Sequence, residues 1–118
     1  MKSDIPYLGH ITDSISAIES YVAGGREVFM TERLVQDAVI RNFEIIGEAA
    51  RQLSPALRDR SAVVWGKIIA FRNRLIHGYW SVDLLLVWDV VVNYLPHLKN
   101  EVASLLTELS GPGEPPPR

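Results

Sequence analysis

The stretch LGHITDSISAIESYV, residues 8–22, sets the reading of the whole chain. Its apolar residues Leu8, Ile11, Ile15, Ile18 and Val22 recur at a 3-4-3-4 spacing, which lays them along one stripe of an α-helix. Such a stripe has to be covered by another element, so the search moves outward along the chain. Gly24 and Gly25 end this first helix. A second is expected to open near Thr31 as N-cap, with Glu32 in its first turn. Its stripe takes in Leu34, Val35, Ala38, Val39, Asn42, Phe43, Ile46, Ala49, Ala50 and Leu53. Gly47 lies inside that helix and costs about 1 kcal/mol against alanine. A close helix crossing at Gly47 is the expected compensation. Ser54 and Pro55 then read as N-cap and first residue of a short helical turn.

A third helix is expected from about Ser61 to about His77, with Val64, Ile68, Phe71 and Leu75 as its core stripe. Gly78 breaks it. Ser81 or Asp83 caps a fourth helix starting near Val82, which is apolar on nearly every side through Leu84–Val87, Trp88 and Val90–Val92. Pro96 should kink or restart it, because proline removes one backbone donor. Leu98, Val102, Leu105, Leu106 and Leu109 carry the pattern to the end. No hairpin turn chemistry flanks the β-branched runs, and there is no internal repeat. The expected fold is all-α: a bundle of four long helices plus a short extra helix, in one domain over residues 1–110. Residues 111–118, rich in Pro and Gly, are expected to be a disordered tail.

Composition narrows the function. The chain has 118 residues, no cysteine and a net charge of −2. The lack of cysteine rules out a disulfide scaffold, thiolate metal sites and a cysteine nucleophile. No apolar run reaches the ~18 residues of a membrane span, and the first residues lack a signal-peptide core, so a cytoplasmic location is expected. The net charge conceals an asymmetry. Residues 51–77 hold Arg51, Arg58, Arg60, Lys67, Arg72 and Arg74 against Asp59 alone, a net +5, which leaves −7 for the rest. A polyanion can bind such a segment; equally, cationic side chains can simply solvate helix faces.

The residues fit for chemistry lie in FRNRLIHGYW, residues 71–80. Arg72 offers a planar fork for phosphate, and His77 transfers protons near neutral pH. Asn73 stands four residues before His77 and is placed to hydrogen-bond its imidazole. Tyr79 can stack on a base or donate its hydroxyl proton. Arg72 and His77, however, are five residues apart, about 140° around a helix and ~7.5 Å along it. Either the helix unwinds at Gly78, or two copies share their sites across a two-fold axis. The all-apolar fourth helix favours a symmetric homodimer. Such a cleft suits metal-free cleavage of RNA by attack of its own 2′-hydroxyl, with no cofactor. Arg74 and Lys67 are candidates for holding the RNA. Glu44 and Glu48 share one helix face; a metal there is disfavoured against solvation, or against orientation of Arg72 across the bundle. His10 and His97 have no metal-ligand spacing with His77. Trp65, Trp80 and Trp88 read as core or interface anchors. Arg51, Arg58 and Arg60 extend an RNA path or face an acidic partner.

The spacing Arg-x4-His-x-Tyr, here Arg72, His77 and Tyr79, resembles the motif of the HEPN superfamily, and of HepT-like toxins in particular. The resemblance takes in EIIGEAA at residues 44–50, Trp65, Asn73, Val82, Asp83, Val87 and Trp88, and covers most of residues 4–109. It implies a homodimer of four to five helices per chain and a metal-independent ribonuclease site at the dimer cleft, with Arg72 and His77 catalytic and Asn73 supporting. It also implies a toxin–antitoxin pair, in which a minimal nucleotidyltransferase antitoxin transfers AMP from ATP to Tyr79. Transfer RNA is the substrate class it suggests. The competing reading is a non-catalytic helical dimer that binds a nucleotidyltransferase or a nucleotide. A purely structural bundle would leave the spacing of Asn73, His77 and Tyr79 without a reason.

Overall fold

The computed structural model describes residues 3–110. Four long helical stretches dominate it: α1 (Ile5–Tyr21), α3 (Arg33–Gln52), α5 (Trp65–His77), and a last stretch in which α6 (Leu84–Asp89) runs through a π turn (Val90–Tyr94) into α7 (Leu95–Leu109). Two short helices, α2 (Arg26–Thr31) and α4 (Pro55–Arg60), and a 3₁₀ turn at Tyr79–Ser81 connect them. No strand occurs among the described residues. The Pro- and Gly-rich stretch 111–118 lies outside them. No helix among them is long and apolar enough to cross a membrane.

The stripe of α1 is buried as its spacing demands: Leu8, Ile11, Ile15 and Ile18 are in the core, and Val22 is half-buried at the C-cap. It packs on α3 and α7, and α3 in turn packs on α5. Helix α3 is therefore the central element, buried through Val39, Phe43, Ile46, Ala49 and Ala50. Phe43 meets Phe71 of α5 edge to face at 5.3 Å. The chain absorbs Pro96 without stopping. The Leu95 amide donates to the Val90 carbonyl, five residues back, and the widened turn just before the proline accommodates its missing donor.

Several expectations need correction. One short extra helix becomes two plus a 3₁₀ turn, because residues 26–31 also coil. Gly25 turns the chain with a φ of +90°, and Phe29 plugs the core completely, tilted against Trp88 at 5.4 Å. Thr31 is not an N-cap: its hydroxyl donates to the Glu27 carbonyl inside α2, and extended Glu32 precedes α3. Leu34 is exposed, whereas its neighbour Val35 packs against the core. Helix α5 starts at Trp65, four residues later than expected, after the Ser61 hydroxyl has accepted from the Val63 amide and the Trp65 indole. Val64 thus precedes the helix and is exposed, and Trp65 takes the core position.

Ser54 does cap α4, its hydroxyl accepting from the Leu57 amide at 3.2 Å. The same residue is clamped by Asp4: the Ser54 amide and hydroxyl donate to the two carboxylate oxygens, each at 2.7 Å. This ties the start of α1 to the end of α3. Ser54→Ala removes the cap and one arm of the clamp, and should lower stability by about 1–2 kcal/mol in a chemical denaturation. A midpoint unchanged from wild type would show that the clamp carries no load.

Candidate active site

Arg72 sits on the face of α5 that meets α3, and Gly47 is what lets it lie there. A β-carbon at residue 47 would fall 2.2 Å from the Arg72 Cβ and 2.6 Å from its Cγ. The close crossing expected at this glycine is real, and the side chain it admits is the guanidinium stem. The head group is held on both sides. Its Nη2 donates to Glu48 Oε2 at 2.8 Å, and its Nη1 to the Asn73 side-chain Oδ1 at 2.9 Å. Nε is buried without a partner among the described residues. A guanidinium has five N–H groups, so one proton on each terminal nitrogen stays free for an anion.

Asn73 therefore orients Arg72. Among the described residues no side-chain hydrogen bond joins it to the His77 imidazole, contrary to the expectation from their four-residue spacing. Glu48 is the partner that sequence alone left as one option among several. Its Oε2 also accepts from Arg51, more weakly at 3.4 Å, while Glu44 pairs with Arg41. The two carboxylates of that helix face are each engaged by a guanidinium.

His77 is the last residue of α5 and is exposed. The helix stays regular up to it, so no unwinding brings it toward Arg72. Gly78 then closes the end: its amide donates to the Arg74 carbonyl, and its own carbonyl accepts from the Ser81 amide, both at 2.9 Å. The resulting 3₁₀ turn lifts Tyr79 and Trp80 into solvent, with 76% and 73% of their surface exposed and their rings edge to face. Trp65 is a core anchor and Trp88 packs against the core, whereas Trp80 anchors nothing within the chain.

The outer face of α5 carries a line of cations leading to His77. Lys67, Arg74 and His77 are exposed and spaced by seven and three residues, which puts them on one side of the helix. Among the described residues neither Lys67 nor Arg74 takes part in an ion pair, whereas Arg51 is paired with Glu48 and Arg60 with Glu108. The +5 segment thus resolves into three paired arginines (Arg51, Arg60 and Arg72), Arg58 on α4 without an ion pair among the described residues, and a cationic edge on α5. A recess beside that edge, lined by His77, Arg74 and Asp83 over apolar side chains, occupies about 330 Å³.

Comparison with known proteins places the chain among ribonucleases of one family. The family described as "Ribonuclease HepT-like" matches residues 11–105. A "Gamma-glutamylcyclotransferase and putative RNase" of Methanocaldococcus jannaschii is 41% identical over 112 residues, covering 92% of this chain; the chain spans half of that relative's length. A "Putative RNase" of Caldanaerobacter subterraneus is 33% identical over 108 residues, covering 90% of this chain and 96% of the relative. A "Probable ribonuclease HepT" of Thermococcus cleftensis is 33% identical over 109 residues, covering 88% and 96%. No solved structure matches. The chain belongs to the HepT-like ribonuclease family.

Proposed function

We propose that this chain is a metal-independent RNA endonuclease, the toxin of a toxin–antitoxin pair, and that transfer RNA is its substrate. The observation that carries the reading is the end of α5. There a braced guanidinium, Arg72, and an unpaired, exposed imidazole, His77, occupy one short helix beside a free cationic edge. In the cleavage, the 2′-oxygen of one nucleotide bonds to its own phosphorus while the bond from phosphorus to the 5′-oxygen of the next breaks. One imidazole takes the 2′-hydroxyl proton, another returns a proton to the departing 5′-oxygen, and the product end is a 2′,3′-cyclic phosphate. The free protons of Arg72 meet the charge growing on the non-bridging oxygens.

One chain separates Arg72 from His77 around the helix, so the reading includes a symmetric dimer that supplies both groups to one phosphate. Exposed apolar side chains on the turn and the last helical stretch, Trp80, Leu85, Val92 and Tyr94 among them, give a second copy something to cover. The exposed phenol of Tyr79 suits modification by a nucleotidyltransferase antitoxin: its oxygen attacks the α-phosphorus of ATP, pyrophosphate leaves, and the added phosphate repels RNA. The cationic edge also predicts a salt signature, with the logarithm of RNA affinity falling linearly as the logarithm of salt rises.

The test is direct. Purified protein is incubated with transfer RNA in EDTA, and product ends are mapped. Cyclic-phosphate ends are the expected result; intact RNA, or cleavage only when a divalent ion is added, would overturn the reading. Co-expression with a minimal nucleotidyltransferase should add AMP to Tyr79 by intact mass. One observation favours the alternative, a non-catalytic dimer that binds this partner: Arg72 already has an anionic partner in Glu48. That alternative predicts intact RNA and an unchanged affinity for the nucleotidyltransferase after His77→Ala.

A further inference from the structure

The recess beside His77 has a use that the Arg72–His77 pair does not explain. Its floor is apolar, with Leu75 and Val87 buried and Leu86 beside them. Arg74, His77 and Asp83 are the charged and titratable side chains among its lining residues. At about 330 Å³ it stands at the small end of ligand sites, which run from roughly 300 to 1,000 Å³, and suits one flat ring system with a short substituent. The Asp83 carboxylate is divided. Oδ1 accepts from the Leu85 and Leu86 amides at 3.0 and 3.2 Å, while Oδ2 meets no donor among the described residues. The recess therefore offers an apolar platform, one outward acceptor, and two nitrogen-bearing side chains at its mouth.

Resting on the ribonuclease reading above, we propose that this recess receives one unstacked nucleobase of the RNA, and that Asp83 selects bases with an exocyclic amino group over uracil. The base lies against the leucines and valine, and its amino group donates to Asp83 Oδ2. Its phosphate then sits at the mouth with Arg74 and His77, next to the reacting groups. Single-stranded RNA is read in this way, by splayed bases hydrogen-bonded on their edges, and a carboxylate accepts from an amino group as in cytosine recognition. Uracil turns carbonyl oxygens toward the same place and is repelled.

Cytidine and uridine 3′-monophosphates make the sharpest comparison, since they match in size and in phosphate charge. Full-length wild-type protein should bind the cytidine nucleotide about tenfold more tightly by calorimetry. Asp83→Asn keeps the cap, because Asn serves as well as Asp there, but turns a donor outward. The ratio should fall to one or invert toward uridine. Asp83→Ser caps through its hydroxyl and presents nothing outward, so its ratio should be near one without inversion; a thermal melt checks that both variants fold. Equal affinities in the wild type, or a ratio that Asp83→Asn leaves unchanged, would overturn the proposal.

Cleavage of oligonucleotides with one varied position separates the two ideas. Base-selective binding without cleavage of any sequence removes the ribonuclease and keeps the nucleotide site. Cleavage with equal binding and equal rates at cytidine and uridine removes the base site and keeps the ribonuclease.

Discussion

The His77→Ala protein should cleave RNA about 10²–10⁴ times more slowly than wild type, the range expected when a positioned acid–base group is lost. Its melting temperature should barely change. His77 is exposed and ends its helix, its side chain makes no hydrogen bond among the described residues, and alanine is the best helix former. This combination makes His77 a cleaner test than Arg72. Removing the Arg72 side chain would strip a stem packed on Gly47 and leave Glu48 without its closer guanidinium, so loss of activity there mixes chemistry with folding. Rates and melts measured on the same His77→Ala sample decide the matter. A rate within tenfold of wild type at unchanged stability would remove His77 from proton transfer.

Gly47→Ala should have the largest effect on stability. Helix propensity favours the change by about 1 kcal/mol, but the contact it creates is far inside any tolerated distance. The new methyl would lie 2.2 Å from the Arg72 Cβ, an atom fixed to the backbone of α5 that no rotamer change can move. The two helices must separate by about 1 Å, which opens the contact between Phe43 and Phe71 as well. Overpacking costs about 1–3 kcal/mol, occasionally more, and a contact this close belongs at the top of that range, which leaves about 2 kcal/mol after the helix-propensity gain. The melting temperature should fall by roughly 5–15 °C for a chain of this size. Activity should drop further than stability alone explains, since a 1 Å displacement of a catalytic group can cost about a hundredfold. A melting temperature equal to or above wild type would mean that the crossing is looser than described.

The parts of the fold legible in the sequence are those in which one residue's chemistry decides its conformation. The α1 stripe could be read because four apolar residues at helical spacing have only one face to bury. Ser54 before Pro55 could be read because a hydroxyl acceptor followed by a residue without an N–H suits a helix start. Gly47 announced a close crossing, since a glycine in mid-helix must be compensated. What failed did so where the neighbour decides. Leu34 fits its stripe yet is exposed, while the next residue, Val35, takes the place against the core. Val64 fits the periodicity of α5, but Ser61 captures the preceding amides and delays the helix past it. Residues 26–31 are too few to show a period, and they coil with Phe29 fully buried in the core.

The same division holds at the candidate site. Sequence by itself determined the inventory and the axial order: Arg72, His77 and Tyr79 on and just past one helix end, five and two residues apart, because rise and twist per residue are properties of the backbone. Only tertiary structure decided what each group faces. Glu48 lies twenty-four residues from Arg72 and reaches it only because α3 crosses α5 at a glycine. Asn73 could have served either neighbour and was drawn to the guanidinium, the stronger donor within reach. The recess at His77 exists because the 3₁₀ turn folds Asp83 back beside α5, a juxtaposition that no local spacing encodes.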